Sequence, residues 1–290
     1  MTTQAARLCC DLDQFKQLTH VLCQQNPGEN TRLIAHVKAA DDTISSGKSL
    51  AFLRMIVVEQ LGMVVAAAIN NKKGVLGLSQ MHDDSAQLIC KLLLNESSFK
   101  EADFPKELAG SKTAVEAIIS HGNFNHQIKF NLILHELIGT PIRGASNCIT
   151  RIATAVDQPI LIDWTQKFFL EINEAPTSLE STTSDVKSGI ARSNFLVALD
   201  EHQRPIAMAH AAQLPFSCAR IGPVYTTPNY RGKGVAQASV AAASTHALQR
   251  GAKRVFLFTD QSNPASNIAY QRVGYQFIQE HLHVALINTN

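Results

Sequence analysis

The stretch of this sequence whose residue types and spacing point most directly to chemistry is a glycine turn. A strand-like run ending in Val224-Tyr-Thr-Thr227 meets Pro228 and continues through Asn229-Tyr-Arg-Gly-Lys-Gly-Val-Ala236 into an alanine-rich helix. The N–H groups at a helix start have no intrahelical acceptor, and the macrodipole reinforces their attraction for anions. Gly232 and Gly234 have no side chains to hold a phosphate away from that main chain. A pyrophosphate suits this geometry. Two rival motifs fail on spacing. A dinucleotide fingerprint needs a third Gly or Ala where Gln237 stands, and in Ser45-Ser-Gly-Lys-Ser49 a P-loop lacks its first glycine, since Asp42 holds that place. The plain alternative is a turn that only joins strand to helix.

Other reactive side chains are scattered. There are 11 histidines but no H-E-x-x-H, and the pairs His121/His126 and His281/His283 lack carboxylates at ligand spacing, so no metal site is expected. The 6 cysteines show no C-x-x-C and read as free thiols in a reducing compartment. Residues Met1 to Cys10 lack the apolar core of a secretory signal, and Leu50 to Ile69 is interrupted by Arg54, Glu59 and Gln60, which argues against a membrane span. The chain is therefore expected to stay in the cytoplasm. With 290 residues, 45% hydrophobic and 17% charged, it is globular rather than disordered. A net charge of +2 without runs of like charge gives no support for a nucleic-acid surface.

Helical and strand patterns that position the turn alternate twice around the turn-rich Gly139-Thr-Pro-Ile-Arg-Gly144, and the boundary is placed there, giving domains 1–143 and 144–290. In the first half the periodicity predicts a helix over Asp11–Gln25, strands over Leu50–Val58, Met63–Ile69 and Val75–Met81, helices over Asp84–Leu94 and Thr113–Ser120, and a strand over Gln127–Leu137. The second half predicts a helix over Pro159–Glu171 and strands over Asn194–Leu199, Pro205–Leu214 and Ala219–Thr226. The alanine-rich helix runs from Gly234 to Arg250, and Gly251 stops it. Val255–Thr259 is a continuous apolar run, as in a strand covered on both faces. Pro264–Val273 is a helix that Asn263 can cap, and Tyr275–Gln279 and His283–Ile287 are the last strands.

Arg231-Gly-Lys-Gly-Val-Ala236 resembles the R/Q-x-x-G-x-G/A signature of the GNAT superfamily of acyl-CoA-dependent N-acetyltransferases. The stretch from Thr259 through Asn263 and Tyr270 to Gly274-Tyr275 resembles that family's following segment. The resemblance covers about Ile190 to Ile287, while the first half is similar in element order only. Met81-His-Asp-Asp-Ser85 occupies its corresponding turn without a signature glycine. The fold implied is α+β, with two tandem GNAT-like domains, each a mixed, mostly antiparallel sheet flanked by helices. The central parallel strands of the C-terminal domain are expected to splay, and the first copy to be degenerate and not to bind the cofactor in the same way.

The resemblance further implies acetyl-CoA as cofactor. Backbone N–H groups of Arg231, Gly232, Lys233, Gly234, Val235 and Ala236 would hold the pyrophosphate, and Val224, Tyr225 and Thr226 would pair with the pantetheine arm as with an added strand. Asn263 would contact the cofactor or simply cap its helix, and Tyr270 would protonate the departing thiolate or simply pack. The family often carries a glutamate base on the strand before the turn, but Ala219–Thr226 contains no carboxylate. His210, on the preceding strand, is the candidate base, with a water chain as the alternative. The expected activity is direct acetyl transfer to an amine of a small molecule or peptide, with Cys218 not a nucleophile. A non-catalytic acyl-CoA sensor and an O-acyl or peptidyl-type transferase are the alternatives. Neither acceptor nor oligomeric state can be read from these residues.

Overall fold

The structure, a computed structural model, describes residues 4–45, 47, 53–71, 73–95, 104–174 and 178–287. In chain order the elements are β1 (Gln4–Cys9), α1 (Leu12–Gln25), α2 (Thr31–Ser45), β2 (Met55–Gln60), β3 (Met63–Asn70), β4 (Val75–Leu78), α3 (Asp83–Leu93), β5 (Glu107–Ser111), α4 (Lys112–Gly122) and β6 (His126–Leu137). There follow β7 (Ile149–Ile152), α5 (Gln158–Glu171), α6 (Leu179–Ala191), β8 (Phe195–Leu199), β9 (Pro205–Leu214), β10 (Cys218–Thr226), α7 (Val235–Gln249), β11 (Arg254–Asp260), α8 (Pro264–Val273) and β12 (Tyr275–Leu286).

Two compact units result. The first comprises Met1–Leu134, Asp260–Ser262 and Ile278–Asn290, and the second His135–Thr259 and Asn263–Phe277. The sequence reading divides the chain once, after residue 143, whereas these units exchange segments, so that β6 and β12 each contribute residues to both. In the first unit the strand order is β1-β2-β3-β4-β5-β12-β6, antiparallel at β1/β2, β2/β3, β3/β4 and β5/β12, and parallel at β4/β5. Its core gathers Ile56, Leu76, Leu108, Ile89 and Ile118 with Leu282 and Val284 of β12.

The second unit runs β7-β8-β9-β10-β11, with the end of β6 beyond β11. Pairing is antiparallel at β7/β8, β8/β9 and β9/β10, and β10/β11 is parallel. Helix α7 covers one face. Its Val240, Ala241, Ala243 and Ala247 pack against Ala209, Ala211, Ala219, Ile221, Val255 and Leu257, and the short alanine side chains let the helix lie close to the sheet. Two buried hydroxyls on α7 are satisfied within the helix, Ser239 by donating to the Val235 carbonyl at 2.9 Å and Ser244 to that of Val240 at 2.7 Å. On the opposite face Leu161 and Trp164 of α5 and Val186 of α6 pack against Phe195, Val197, Met208 and Tyr225.

Several elements differ from the sequence reading. Strand β1, helices α2 and α6, and strands β5 and β7 are additional. The two terminal strands expected over Tyr275–Gln279 and His283–Ile287 are one, β12, because His281 is fully buried instead of marking a turn. The strand expected from Leu50 is seen from Met55, and its first residues, like most of Ser45–Ser49, lie outside the described residues. All 6 cysteines are free. Among the described residues no three His, Cys, Asp or Glu side chains converge as metal ligands, and no helix is long and apolar enough to cross a membrane.

Candidate active site

The site is built where β10 leaves β11. Their parallel ladder runs from Cys218↔Arg254 to Ile221↔Leu257 and stops there, although β10 continues to Thr226 and β11 to Asp260. The cause is local. After Ile221 the sequence is Gly222-Pro223; Gly222 has φ +131°, and Pro223 has no N–H for a ladder. The β9/β10 register shifts between Ile221 and Val224, a bulge that bends β10, and pairing resumes as Val224↔Ala209, Tyr225↔Met208 and Thr226↔Ala207.

That leaves a free edge. The Thr227 N–H donates to the Ile206 carbonyl at 3.0 Å, so by two-residue alternation Tyr225 also faces β9, while the backbone groups of Val224 and Thr226 face the vacated side. Of these the Thr226 carbonyl is taken by Arg231 Nε at 2.9 Å. Thr226 Oγ1 is buried without a hydrogen-bond partner. Unpaired strand groups and an orphaned hydroxyl are what an amide-bearing arm can satisfy.

The glycine turn follows and is firmly anchored. The Tyr230 hydroxyl donates to Asp200 Oδ2 at 2.7 Å, and Arg204 Nε donates to the same oxygen at 2.8 Å. Burial alone would raise the Asp200 pKa, but these donors and the backbone N–H groups of His202 and Arg204 hold it far below the usual carboxylate range. Arg231 is held by Glu171 at 2.5 Å and lies 5.7 Å from the Tyr225 ring, and Lys233 Nζ lies 5.2 Å from the Tyr230 ring. The Arg231 side chain is thus engaged by the protein, while its main chain belongs to the exposed turn. Gly234 is the N-cap of α7 at φ +72°, a conformation that suits glycine, and it has no side chain to cap the helix. The first helical acceptance is Ala238 N–H to the Gly234 carbonyl at 3.0 Å. The N–H groups of Val235, Ala236 and Gln237 therefore precede the helical ladder, and no acidic residue stands in this first turn. The arrangement fits a pyrophosphate.

Three further sequence candidates lie in the same unit. Asn263 caps α8, its Oδ1 accepting from Ser266 N–H at 3.1 Å. Tyr270 packs in the cluster that holds Ile221 and Leu257, the last rung of the ladder. Burial pushes its pKa up to about 12 against a hydrogen bond with Ser266, so the hydroxyl keeps its proton at neutral pH. His210 Nδ1 donates to the Gly222 carbonyl at 3.3 Å, which brings the imidazole beside the bulge and leaves Nε2 as the lone-pair nitrogen. Burial first, and then the charge of Arg220, lower the His210 pKa to about 4 against the opposing Gly222 bond.

The corresponding corner of the first unit is different. Strands β4 and β5 pair from Val75↔Glu107 to Gly77↔Ala109, nearly to the end of β4. A Cβ placed on Gly110 would meet Leu78 Cβ at 2.9 Å, so the two chains stay in close contact there. Helix α3 begins with Asp83 and Asp84, carboxylates that repel a phosphate at that terminus.

Comparison with known proteins bears on the family and the fold. Residues 160–275, most of the second unit, match the model of the acetyltransferase (GNAT) family. The chain matches the solved structure of an acetyltransferase from the GNAT family of Colwellia psychrerythraea at 12% identity and TM-score 0.62, covering 98% of this chain and 99% of that one. A GCN5-related N-acetyltransferase from Sphaerobacter thermophilus matches at 15% identity and TM-score 0.64, covering 99% and 96%. A tandem GNAT protein from the clavulanic acid biosynthesis pathway, solved without AcCoA, matches over 100% of both chains at 11% identity and TM-score 0.56. At these identities the likeness is one of fold: tandem GNAT-like units, each a mixed, mostly antiparallel sheet flanked by helices. No curated protein sequence matches. The family is one of acyltransferases.

The motif reading missed the residues that hold the site. Asp200, Tyr230 and Glu171 anchor the turn, Ser266 bonds Tyr270, and Arg220 sets the charge beside His210. Only Arg220 carries a sequence signal, as a cation within an alternating apolar strand.

Proposed function

We propose that the second unit transfers an acetyl group from acetyl-CoA to an amine of a small molecule or peptide. The observation that carries this reading is the ladder's end at Ile221↔Leu257, directly beside an uncapped, glycine-led helix N-terminus. Bound acetyl-CoA would supply an activated acyl carbon: a C–N bond to the acceptor forms, the C–S bond breaks, and the thiol leaves.

The chain's own groups have defined tasks. Backbone N–H groups from Gly232 to Ala236 bind the pyrophosphate, with the side chains of Arg231 and Lys233 secondary; the Arg231 N–H, expected from sequence to join them, is instead given to the Pro228 carbonyl at 3.2 Å. Val224 and Thr226 offer edge groups to the pantetheine arm, and Tyr225 pins the strand to β9. The Val224 N–H serves as the oxyanion donor in this reading, a contribution of roughly 10²–10³ in rate. Tyr270 donates its proton to the leaving sulfur and recovers one through Ser266 and solvent. Asn263 orients the start of α8, leaving its amide N–H group for the coenzyme. A neutral amine attacks and sheds a proton; His210 Nε2 accepts it and, being a weak base, passes it to water. Cys218 takes no part: burial pushes its thiol up to about 11, so no thiolate is present at neutral pH to form an acyl-enzyme.

Incubation with acetyl-CoA and a panel of amines, followed by titration of released thiol, tests the reading. Turnover is expected with at least one amine. Tight coenzyme binding without turnover across a broad panel would favour a sensor instead.

A further inference from the structure

Arg220 lies one residue before the vertex, in register with Phe256 on β11 and Ala212 on β9. Its neighbours Ala219 and Ile221 pack against α7, so by strand alternation the guanidinium points to the opposite face, the one covered by α5 and α6. His210 lies between Ala209 and Ala211, which also pack toward α7, and so shares that face. Its imidazole feels the charge of Arg220.

No carboxylate or hydrogen-bond acceptor is paired with Arg220 among the described residues. Two acids of the same unit are committed elsewhere. Glu136 holds Arg254 through two contacts, at 2.5 Å and 2.8 Å, and Glu171 holds Arg231. Burial disfavours the charge on Arg220, lowering its pKa, yet an arginine stays protonated. A half-buried guanidinium with five N–H donors and no counter-charge destabilises the protein unless a ligand supplies one. Its planar fork fits a carboxylate or phosphate.

We infer that Arg220 is an acceptor-binding residue and that the amine acetylated here carries an anionic group, held by the guanidinium while the amine faces the vertex. This rests on the acetyltransferase reading and specifies its substrate class. The amine must lie within a few bonds of the anion, since Arg220 is only one residue from the last rung of the ladder.

The test compares matched acceptors in two arms. The first sets glycine and L-leucine against methylamine and isopentylamine, and the second sets O-phosphoethanolamine against ethanolamine. Wild-type kcat/KM is expected to favour the anionic member of at least one arm by tenfold or more, and the arm that shows it names carboxylate or phosphate. Arg220→Met should reduce that preference at least tenfold, and Arg220→Lys should restore part of it. Thermal melting gives a second readout. The favoured anion should raise the Tm of the wild type but not of Arg220→Met, and the unliganded Arg220→Met protein should melt no lower than the wild type, because a lone charge has been removed. Equal use of neutral and anionic amines, or a lowered Tm with equal activity loss on both, would overturn the inference. Absence of coenzyme A binding by the wild type would overturn the acetyltransferase reading itself, and is told apart by calorimetry before any acceptor is added.

Discussion

Replacing Tyr270 with Phe removes one oxygen from a group that is 8% exposed and leaves the ring among Ile221, Leu257 and Val273. A positioned general acid contributes roughly 10²–10⁴ in rate, so kcat should fall by that factor, equivalent to about 2.7–5.4 kcal/mol of barrier. The hydroxyl also bonds Ser266, and losing this should cost about 1 kcal/mol of folding stability, far too little to unfold the domain. Affinity for coenzyme A should change less than about threefold, because its nucleotide end is held by main chain at the start of α7. With its pKa near 12, Tyr270 stays protonated at neutral and mildly alkaline pH, so the ratio of wild-type to variant kcat should be flat across that range. Stopped-flow thiol release, calorimetric affinity and thermal melting on the same preparations separate these effects. A variant that binds coenzyme A normally and keeps wild-type kcat would refute the assignment of Tyr270 as the acid.

Gly234→Val should weaken coenzyme A binding at least tenfold by calorimetry and cost about 1–2 kcal/mol of stability, because a branched residue at φ +72° is strained. Gly234→Asn, which tolerates that conformation, should keep the fold. Tyr230→Phe removes the donor to Asp200, loosening the phosphate turn, and should raise the coenzyme Kd about three- to tenfold while leaving kcat nearly unchanged in steady-state kinetics. Asp157 accepts from Arg151 at 2.7 Å and 2.9 Å and from Thr154 N–H at 2.7 Å, and these bonds, the Arg151 pair first, hold its pKa below the usual carboxylate value. A depressed carboxylate stabilises the fold above its unfolded pKa of about 3.9, and that stability is lost as pH falls through the lower folded value. Asp157→Asn should therefore cost about 1–2 kcal/mol at pH 7, the low end because Arg151 is 40% exposed, and the gap should close in urea titrations as pH drops below about 4.

How far the fold is legible from sequence depends on whether its signals are local. Helix α8 has Asn263 as cap, Pro264 in its first turn and Gly274 at its end, and β11 is an unbroken apolar run, so both stand out. Helix α6 is hidden by Ser181-Thr-Thr-Ser184, residues that compete with the helix for hydrogen bonds and read as loop, although Thr182 and Val186 bury one face. Strand β5, Glu107-Leu-Ala-Gly-Ser111, is small and glycine-containing, and β7 is only four residues long. The return of Ile278–Asn290 to the first unit has no local signature, because it depends on pairing such as His283↔Ala109 across most of the chain.

The site shows the same division. Turn chemistry names Gly232 and Gly234 from neighbouring residues alone, whereas the bulge at Gly222-Pro223 lies inside a run read simply as a strand. The anchors Asp200 and Glu171 depend on partners that meet only in the folded chain, and that Arg220 has none among the described residues is likewise a property of the fold.

Titration calorimetry of coenzyme A into the folded full-length protein tests the central claim most directly. One coenzyme per chain is expected, with affinity lost in Gly234→Val and retained in Tyr270→Phe. No binding, or binding that Gly234→Val leaves unchanged, would contradict a cradle at the start of α7.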